Sequence, residues 1–286
     1  MTCWLIYTRE EAERNHHAIS FYQQACDKRN IQMFLCYYEN FVWGTANSRS
    51  FLSYENKEIK KLPDFVIMRA TEPFFSTHLE TMGCRVFNSA RVSEIANDKL
   101  KTLQFTASLG VPTPKTRLAT HKTAEAIGTE LGFPLVMKPR DGHGGQDVLW
   151  IESLSDLSAK LMGYDHENFL LQKPVADLGR DLRVYVVGGE VVCAMLRMRD
   201  DDFRSNYCLG GRAEQKTLTR EEMHIVRIIT DHLPLDFAGI DLLYSNGQPM
   251  LGEIEDVVGA RMLYHLTDLD VIDQYVAFMA KTVSLH

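Results

Sequence analysis

The sequence predicts a mixed α/β (α+β) protein, in which a lobe built on a parallel sheet comes first and two further α+β lobes follow. In the first third of the chain, short apolar runs alternate with amphipathic runs of helical period, and this alternation is typical of a parallel sheet covered by helices. In the second half, two long apolar stretches have the pattern of β-hairpins, and one of them turns at Asn246-Gly247. A length of 286 residues also exceeds what one small core usually holds.

The N-terminal elements are separated by clear capping and turn signals. Residues 3–7 (CWLIY) predict a buried strand, and Thr8 with Glu11 predicts a capping box for a helix that should run to about Arg29. Further strands are expected at residues 31–37, 64–69 and 84–88, with a helix at 73–83. No glycine-rich fingerprint follows the first strand, so the lobe should be Rossmann-like in shape without binding a dinucleotide.

A long helix is expected next, and the break after it favours a boundary between lobes. Residues 93–110 have a continuous helical pattern that stops at Gly110, and Pro112 and Pro114 follow. The later elements are predicted as helices at 122–132, 153–163, 218–233 and 268–283, strands at 134–139, 148–151 and 169–175, and hairpins at 183–198 and 237–255. Thr219 and Glu222 form a second capping box.

The composition excludes several classes of partner. The 31 basic residues are outnumbered by 38 acidic ones, which argues against general nucleic-acid binding, so a local positive cluster should bind a small anion. No apolar run approaches the ~20 residues that span a bilayer, so no membrane partner is expected. The six cysteines are scattered singly, as expected for buried free thiols in a reducing cytoplasm.

Three acidic residues of the second hairpin are candidate metal ligands. Glu253 and Glu255 are two apart on one strand and so share a face, and Asp241 lies on the partner strand. Oxygen-rich clusters without histidine suit magnesium. A plain two-residue turn would place Asp241 opposite Gly252, so convergence requires an odd-length loop or a bulge, which we expect near Gln248. The alternative is a solvated acidic face on an edge hairpin.

Basic residues elsewhere are candidate phosphate ligands. Lys138 ends an apolar strand and precedes RDGHGGQD, whose glycines allow backbone N–H groups to approach a phosphate, although a mobile hairpin loop is the alternative. The pattern is not that of a P-loop. Arg183 and Arg197 lie on the two strands of the first hairpin, where buried guanidinium groups need anionic partners. Magnesium, phosphate and carboxylate sites together indicate nucleotide-dependent phosphoryl transfer.

Seven motifs in one order resemble the ATP-grasp superfamily, and most closely its RimK-like carboxylate–amine ligases. They are ANDKLKTLQ, VPTP, PLVMKPRDGHGGQDV, LLQKPVADLGRDLRVYVVGGEVVCAMLR, DDFRSNYCLGG, FAGIDLL and GEIE. The resemblance covers residues 64–259, and the preceding residues fit only by their strand and helix pattern. It implies an ATP-grasp fold with an N-terminal Rossmann-like domain at 1–95, a central ATP-grasp subdomain at 96–171 and a C-terminal subdomain with the metal site at 172–286.

The resemblance also implies roles for individual residues. The implied ATP-binding residues are Lys99, Lys138, Gly142, His143, Gly144, Gly145, Gln172, Lys173, Pro174, Val175, Asp177 and Asp181. Catalytic roles at the γ-phosphate and acyl phosphate are implied for Arg183, Arg197 and Asn206. Arg204 and Arg261 are candidate substrate contacts, with a surface or structural arginine as the alternative for Arg261, and Arg69 is a third candidate because it ends a strand where sheets of this type bind ligands. Two Mg²⁺ ions, with Mn²⁺ as an alternative ion, are implied at Asp241, Glu253 and Glu255. The chain departs from the family at Glu255, where asparagine is usual, and at Lys173, where glutamate is common.

The activity implied by this resemblance is ATP-dependent ligation of a carboxylate to an amine through an acyl phosphate. An amino acid would be joined to an amino acid, a peptide or a protein acceptor, and a homo-oligomer is expected. Two alternatives stay open at this point: a small-molecule kinase of the same fold, and an inactive nucleotide-binding regulatory protein. The presence of both lysines and all three carboxylates argues against the inactive protein.

Overall fold

The N-terminal lobe contains a four-stranded parallel sheet with strand order β2-β1-β6-β7. The structure is a computed structural model that describes residues 1–142, 147–199, 202–203 and 211–285. The strands of this lobe are β1 (Thr2–Tyr7), β2 (Gln32–Tyr37), β3 (Phe41–Ala46), β4 (Arg49–Tyr54), β5 (Lys57–Glu58), β6 (Phe65–Met68) and β7 (Arg85–Phe87). Its helices are α1 (Arg9–Arg14), α2 (His16–Asp27), α3 (Pro73–Thr81) and α4 (Ala90–Ala96). The parallel sheet confirms the alternation in the sequence, whereas the small antiparallel sheet β3-β4-β5 was not predicted.

Two helices that the sequence predicts as continuous are each divided by an asparagine. The first does not run from Thr8 to Arg29, because Asn15 leaves the helical conformation between α1 and α2 and its side-chain amide donates to the Glu11 carbonyl at 2.8 Å. The predicted helix 93–110 is likewise divided after α4, and α5 (Lys99–Ser108) begins with Asp98 as its cap. The Asp98 carboxylate accepts from the backbone N–H groups of the first turn of α5. An asparagine or aspartate that bonds to local backbone competes with helix continuation.

The central lobe is an antiparallel sheet with order β10-β9-β11-β8 and two helices packed on it. Its elements are β8 (Thr116–Ala119), α6 (Ala124–Leu131), β9 (Leu135–Pro139), β10 (Leu149–Ile151), α7 (Leu154–Leu161) and β11 (Phe169–Gln172). Its core consists of residues between Ala119 and Leu171 and receives no side chain from the rest of the described chain. This lobe therefore packs around apolar side chains of its own.

The C-terminal lobe contains a five-stranded antiparallel sheet with order β14-β13-β12-β15-β16. Its elements are β12 (Arg180–Val187), β13 (Glu190–Met198), β14 (Arg212–Gln215), α8 (Arg220–His232), β15 (Phe237–Ser245), β16 (Gln248–Glu255), α9 (Arg261–Leu266) and α10 (Val271–Ser284). Both predicted hairpins are present, and the capping box of Thr219 and Glu222 at α8 is confirmed. The central strands β12 and β15 pair antiparallel, so polar side chains on them meet on the same face.

The first and last parts of the chain share one hydrophobic core. Tyr7 and Tyr22 of the N-terminal lobe pack in the same cluster as Tyr275 and Met279 of α10. A second cluster joins Val92 and neighbouring helical residues to the face of β12 and β15. Among the residues that the structure describes, no helix combines the length and the apolar character needed to cross a bilayer.

Candidate active site

The three predicted metal carboxylates lie together on the C-terminal sheet. Asp241, Glu253 and Glu255 each offer an oxygen, and these oxygens all lie within 4.8 Å of one another. The turn at Asn246-Gly247 is the plain two-residue turn, and pairing of β15 with β16 is regular from Ser245 opposite Gln248 to Leu242 opposite Leu251. The register then shifts, so that Asp241 faces Glu253 and Gly239 faces Glu255.

The register shift is a bulge at Gly252, and the expected position near Gln248 is wrong. A Cβ atom at Gly252 would lie 3.0 Å from Leu243 Cγ and 3.2 Å from the Asp241 carbonyl oxygen, so the bulge packs too closely for a side chain. An isolated glycine inside a strand pattern is a known signal of a bulge. That signal at Gly252 could have located the bulge from the sequence.

Two buried arginines alternate with carboxylates beside this cluster. Arg183 donates to both oxygens of Asp241, at 2.6 and 2.5 Å, and to both oxygens of Glu255, at 2.7 Å each. Arg197 donates to both oxygens of Asp181, at 2.6 and 2.5 Å, and to Asp241 Oδ2 at 2.7 Å. We call the row Asp181–Arg197–Asp241–Arg183–Glu255 the charge ladder. In this ladder, the protein's own carboxylates are the anionic partners that the buried guanidinium groups require.

The sheet register explains why the charge ladder forms. Asp181 is directly opposite Arg197 in the pairing of β12 with β13, and Arg183 is directly opposite Asp241 in the pairing of β12 with β15. Directly opposite residues have adjacent Cβ atoms, which allows planar, bidentate contacts between guanidinium and carboxylate groups. The side chains of the first four members are at most 8% exposed, whereas that of Glu255 is 21% exposed.

The charge ladder fixes the ionisation of its central members. Burial raises the pKa of Asp241, but the guanidinium groups of Arg183 and Arg197 outweigh burial and hold that pKa at about 2. Burial lowers the pKa of Arg183, but Asp241 and Glu255 outweigh it and hold that pKa well above its ordinary value. Asp241 is therefore a carboxylate and Arg183 a cation at any physiological pH.

Glu253 is the exception among the three carboxylates. It makes no hydrogen bond or ion pair with any residue that the structure describes, although Asp241 and Glu255 are both engaged by arginine. Its oxygens are therefore free to bind a cation, and without one its charge is repelled by the two neighbouring carboxylates.

Lys138, which is on β9 of the central lobe, lies close to the three carboxylates of the C-terminal sheet. Its ammonium group donates to Gln172 Oε1 at 3.1 Å, and Gln172 in turn donates to Thr116 Oγ1 at 2.7 Å. Burial lowers the pKa of Lys138 from 10.5 to about 8, while Glu253 opposes that shift and Lys99 adds to it. A half-buried ammonium group held this way is well placed to meet an anion.

Lys99 begins helix α5 and reaches the same side of the central lobe. Its ammonium group donates to the Gly142 carbonyl at 2.6 Å, and its backbone N–H donates to the Arg140 carbonyl at 2.9 Å. Gly142 has φ of 98°, a conformation that favours glycine. A cavity of about 410 Å³ opens beside it and is lined by Thr71, Asn97, Pro139, Asp141, Gly142, Asp147 and His166.

The predicted adenine linker, residues 172–175, connects β11 of the central lobe to β12. Gln172 is buried, and the backbone N–H of Lys173 donates to the Lys115 carbonyl at 2.9 Å. The Lys173 ammonium group donates to the carbonyls of Gly132 and Pro134, so it faces away from the carboxylates. Pro174 and Val175 are half-buried.

Asp177, the predicted ribose contact, accepts at Oδ2 from the Gly247 N–H at 2.8 Å. Asp181, also expected near ATP, forms the buried end of the charge ladder. These contacts give both carboxylates structural partners.

The structure describes two of the three predicted substrate residues, Arg69 and Arg261. Arg69 is half-buried and donates from Nη2 to the Val258 carbonyl at 2.9 Å, while its Nε has no partner among the described residues. Arg261 is exposed at the start of α9. The remaining predicted residues, His143, Gly144, Gly145, Arg204 and Asn206, lie outside the described residues.

Comparisons with known proteins show the family of this chain. The sequence model of the RimK-like ATP-grasp domain family matches residues 96–279 of this chain. The probable alpha-L-glutamate ligase of Picosynechococcus sp. is 30% identical over 290 residues, covering 96% of this chain and 91% of the relative. The N-acetylaspartylglutamate synthase A of Mus musculus is 31% identical over 268 residues, covering 87% of this chain and 70% of the relative.

A solved structure shows the same fold at low sequence identity. The RimK domain ATP-grasp protein of Sphaerobacter thermophilus has a TM-score of 0.74 and 16% identity, covering 97% of this chain and 99% of that one. The fold and the family predicted from the order of the sequence motifs are both confirmed. On the strength of the domain match and the relative that spans nearly its whole length, the chain belongs to the RimK-like ATP-grasp family.

Proposed function

We propose that this chain is an ADP-forming ligase that uses ATP to join a carboxylate to an amine. The observation that carries the proposal is the convergence of three carboxylates on β15 and β16 beside the half-buried ammonium group of Lys138. Opposite charges in one cleft are what a nucleotide-dependent phosphoryl transfer requires, because anionic reactants must be neutralised before they can meet. The names of the full-length relatives, which include glutamate ligases, support the same reaction class.

The reaction proceeds in two displacements. An oxygen of the substrate carboxylate attacks the γ-phosphorus of ATP, the bond to the β-phosphate oxygen breaks, and ADP leaves. The amine then attacks the acyl carbon, and inorganic phosphate leaves with the bonding electrons as an amide forms and the amine loses a proton. No protein nucleophile is needed, so the chain contributes mainly by positioning and charge neutralisation.

The carboxylate cluster fits Mg²⁺. All three donors are carboxylates, and their oxygens are close enough to share a divalent ion. We propose that Asp241, Glu253 and Glu255 hold two Mg²⁺ ions, which Mn²⁺ could replace. Metal bound there would neutralise charge on the transferred phosphoryl group.

The other side chains have matching roles in this proposal. Lys99 and Lys138, with the loop at residues 142–145, hold the ATP phosphates, and residues 172–175 with Asp177 and Asp181 border the nucleoside. Arg183, Arg197 and Asn206 stabilise the charge that develops as the phosphoryl group is transferred. Arg69, Arg204 and Arg261 contact the substrate. The division into domains at 1–95, 96–171 and 172–286 belongs to the same proposal.

The substrates that we propose are amino acids or peptides. One supplies the carboxylate and the other the amine, and the acceptor is a free amino acid, a peptide or a protein. Relatives whose names specify glutamate ligation make glutamate the first amine and the first acid to test. The protein acts as a homo-oligomer in the cytoplasm in this proposal, and size-exclusion chromatography with light scattering checks the first point.

The test is a screen of amino acids in pairs, with ATP and Mg²⁺, for release of phosphate and formation of an amide by mass spectrometry. The ligase proposal expects amide and ADP in equal amounts that both require the amine. Release of ADP at the same rate without an amine, with accumulation of a stable phosphorylated product, would establish a kinase instead. Lys138→Met should abolish turnover, and Lys122→Met, which changes an exposed lysine of the same lobe, serves as its matched control.

A further inference from the structure

Asp256 is a buried carboxylate immediately after the strand that carries the metal ligands. It is 4% exposed, and no lysine, arginine or histidine in the described ranges forms an ion pair with it. Its Oδ1 accepts from Asn88 Nδ2 at 3.0 Å, and its Oδ2 accepts from Asn97 Nδ2 at 2.9 Å. A buried carboxylate satisfied only by neutral amides is expensive to keep, so its position calls for an explanation.

Asn88 attaches Asp256 to the C-terminal sheet. Its amide nitrogen also donates to the carbonyls of Phe237, at 2.7 Å, and of Asp256, at 3.2 Å. Its amide oxygen accepts from the backbone N–H groups of Asp236 and Phe237, at 2.6 and 3.0 Å. Asn88 thereby joins the first residues of β15 to the end of β16, and it fixes one side of the Asp256 carboxylate.

Asn97 attaches the other side of Asp256 to the junction between α4 and α5. Its amide nitrogen also donates to the carbonyl and the hydroxyl oxygen of Ser93, at 2.9 and 3.0 Å. Because the carboxylate and the carbonyl are both acceptors, the nitrogen of the Asn97 amide must face them. Asn97 directly precedes Asp98, the cap of α5, and Lys99 is the first residue of that helix.

The contact between Asp256 and Asn97 therefore joins two parts of the proposed site. Asp256 is one residue beyond Glu255, and Asn97 is two residues before Lys99. One hydrogen bond of 2.9 Å thus connects the strand of the metal carboxylates to the helix that presents a phosphate lysine. The two elements come from opposite sides of the domain boundary predicted at residues 171 and 172.

We propose that Asp256 is a positioning residue that sets the distance between the metal carboxylates and Lys99. This inference rests on the proposed function. Metal and lysine must act on the same phosphate chain, so a small displacement of one against the other weakens both contacts. Mutation of residues that support and orient metal ligands commonly lowers metal affinity about 10- to 100-fold. The side chain does not itself touch the reacting atoms.

The experiment measures the affinity of the purified protein for ADP with Mg²⁺ by calorimetry, alongside its melting temperature. Asp256→Ala and Asn97→Ala should each raise the dissociation constant about 10- to 100-fold. The double variant should be no weaker than the weaker single variant, because both remove the same hydrogen bond.

Asp236→Asn is the matched control. Asp236 is 3% exposed and lies at the same end of the sheet, and its carboxylate accepts from Arg85 at 2.7 Å. The substitution changes only this side-chain contact, which does not lead to Lys99, and keeps the backbone N–H that donates to Asn88. It should lower the melting temperature about as much as Asp256→Ala and change nucleotide affinity less than about twofold.

Equal losses of affinity in Asp256→Ala and Asp236→Asn, or wild-type affinity in Asn97→Ala, would overturn the positioning role. Asn97→Ala decides the matter if Asp256→Ala does not fold. If the wild type binds ADP with Mg²⁺ but makes no amide from any pair, the ligase proposal fails while this comparison stands. If the wild type does not bind the nucleotide, both are overturned.

Discussion

Glu253→Gln should stabilise the metal-free protein and abolish its stabilisation by metal. Glu253 has no partner among the described residues, and its oxygens lie within 4.8 Å of those of two other carboxylates. At that separation, two like charges near a protein surface repel by about 3 kcal/mol with an effective dielectric constant of about 20. Arg183 and Lys138 offset much of this repulsion, so we expect a net gain of about 1–2 kcal/mol in the free energy of unfolding.

The assay is thermal unfolding with EDTA and then with saturating Mg²⁺ and ADP. A gain of about 1–2 kcal/mol corresponds to a rise of roughly 2–8 °C in melting temperature for a chain of this length. Ligand that binds the folded state at about 100 times its dissociation constant adds about 2.7 kcal/mol to wild-type stability. Glu253→Gln should lose most of that addition, because it removes the carboxylate of the cluster that no described arginine or lysine bonds.

Glu255→Gln is the informative comparison, because it should have the opposite effect on the metal-free protein. Both oxygens of Glu255 accept from Arg183 at 2.7 Å, and hydrogen bonds of this charged kind contribute about 1.5–3 kcal/mol. Glu255→Gln should therefore lower stability by about 1–3 kcal/mol without metal. Destabilisation by Glu253→Gln in EDTA, with stabilisation by Mg²⁺ and ADP unchanged, would refute the reasoning from charge.

Three further predictions follow from the same site. Gly252→Val should weaken Mn²⁺ binding, measured by electron paramagnetic resonance, by at least about tenfold, and should lower the free energy of unfolding by about 1–3 kcal/mol, because the bulge leaves no room for a side chain. Unchanged Mn²⁺ affinity would contradict this role of the bulge. The affinity for ADP with Mg²⁺ should fall by up to about tenfold per pH unit above about pH 8, because the free protein then loses the proton of Lys138 that an anionic phosphate requires; Lys138→Met should remove this pH dependence, and a wild-type profile that stays flat to about pH 10 would count against it. Arg197→Met should cost about 3–5 kcal/mol in urea unfolding, because Asp181 is left buried without its bidentate partner; a loss below about 1 kcal/mol would show that water or another group replaces the arginine.

The sequence predicted the carboxylate cluster better than the contacts around it. Period-two alternation placed Glu253 and Glu255 on one face, and the requirement for a register break was correct. Its location was not, because the choice between Gln248 and Gly252 depends on how closely Leu243 and the Asp241 carbonyl pack there. Such packing is a property of two strands together, and neither strand carries it alone.

The helix break at Asn97 and the ion pairs both involve residues that are distant in the sequence. Residues 93–110 have an unbroken helical period, and the break at Asn97 combines the local cap of Asp98 with a contact to Asp256, 159 residues later, which accepts from the Asn97 side chain. The partners of Arg183 and Arg197 likewise depend on which residues of β12, β13 and β15 stand opposite one another. Long-range register decides the ion pairs, whereas capping boxes such as that of Thr219 are local and were predicted correctly.

The formal charges of the site are compatible with the divalent ion that we propose there. The charge ladder and Glu253 together contain four carboxylates and two guanidinium groups, which leaves a formal charge of −2. Asparagine, the usual residue of the family at position 255, would leave −1 instead. Both oxygens of Glu255 accept from Arg183, so the additional negative charge of Glu255 is compensated by a cation of the protein. The oxygens of Glu253 can then bind a metal cation. The glutamate is therefore compatible with a working metal site only because Arg183 stands between it and Asp241, so losing Arg183 should harm metal binding more here than in a relative with asparagine.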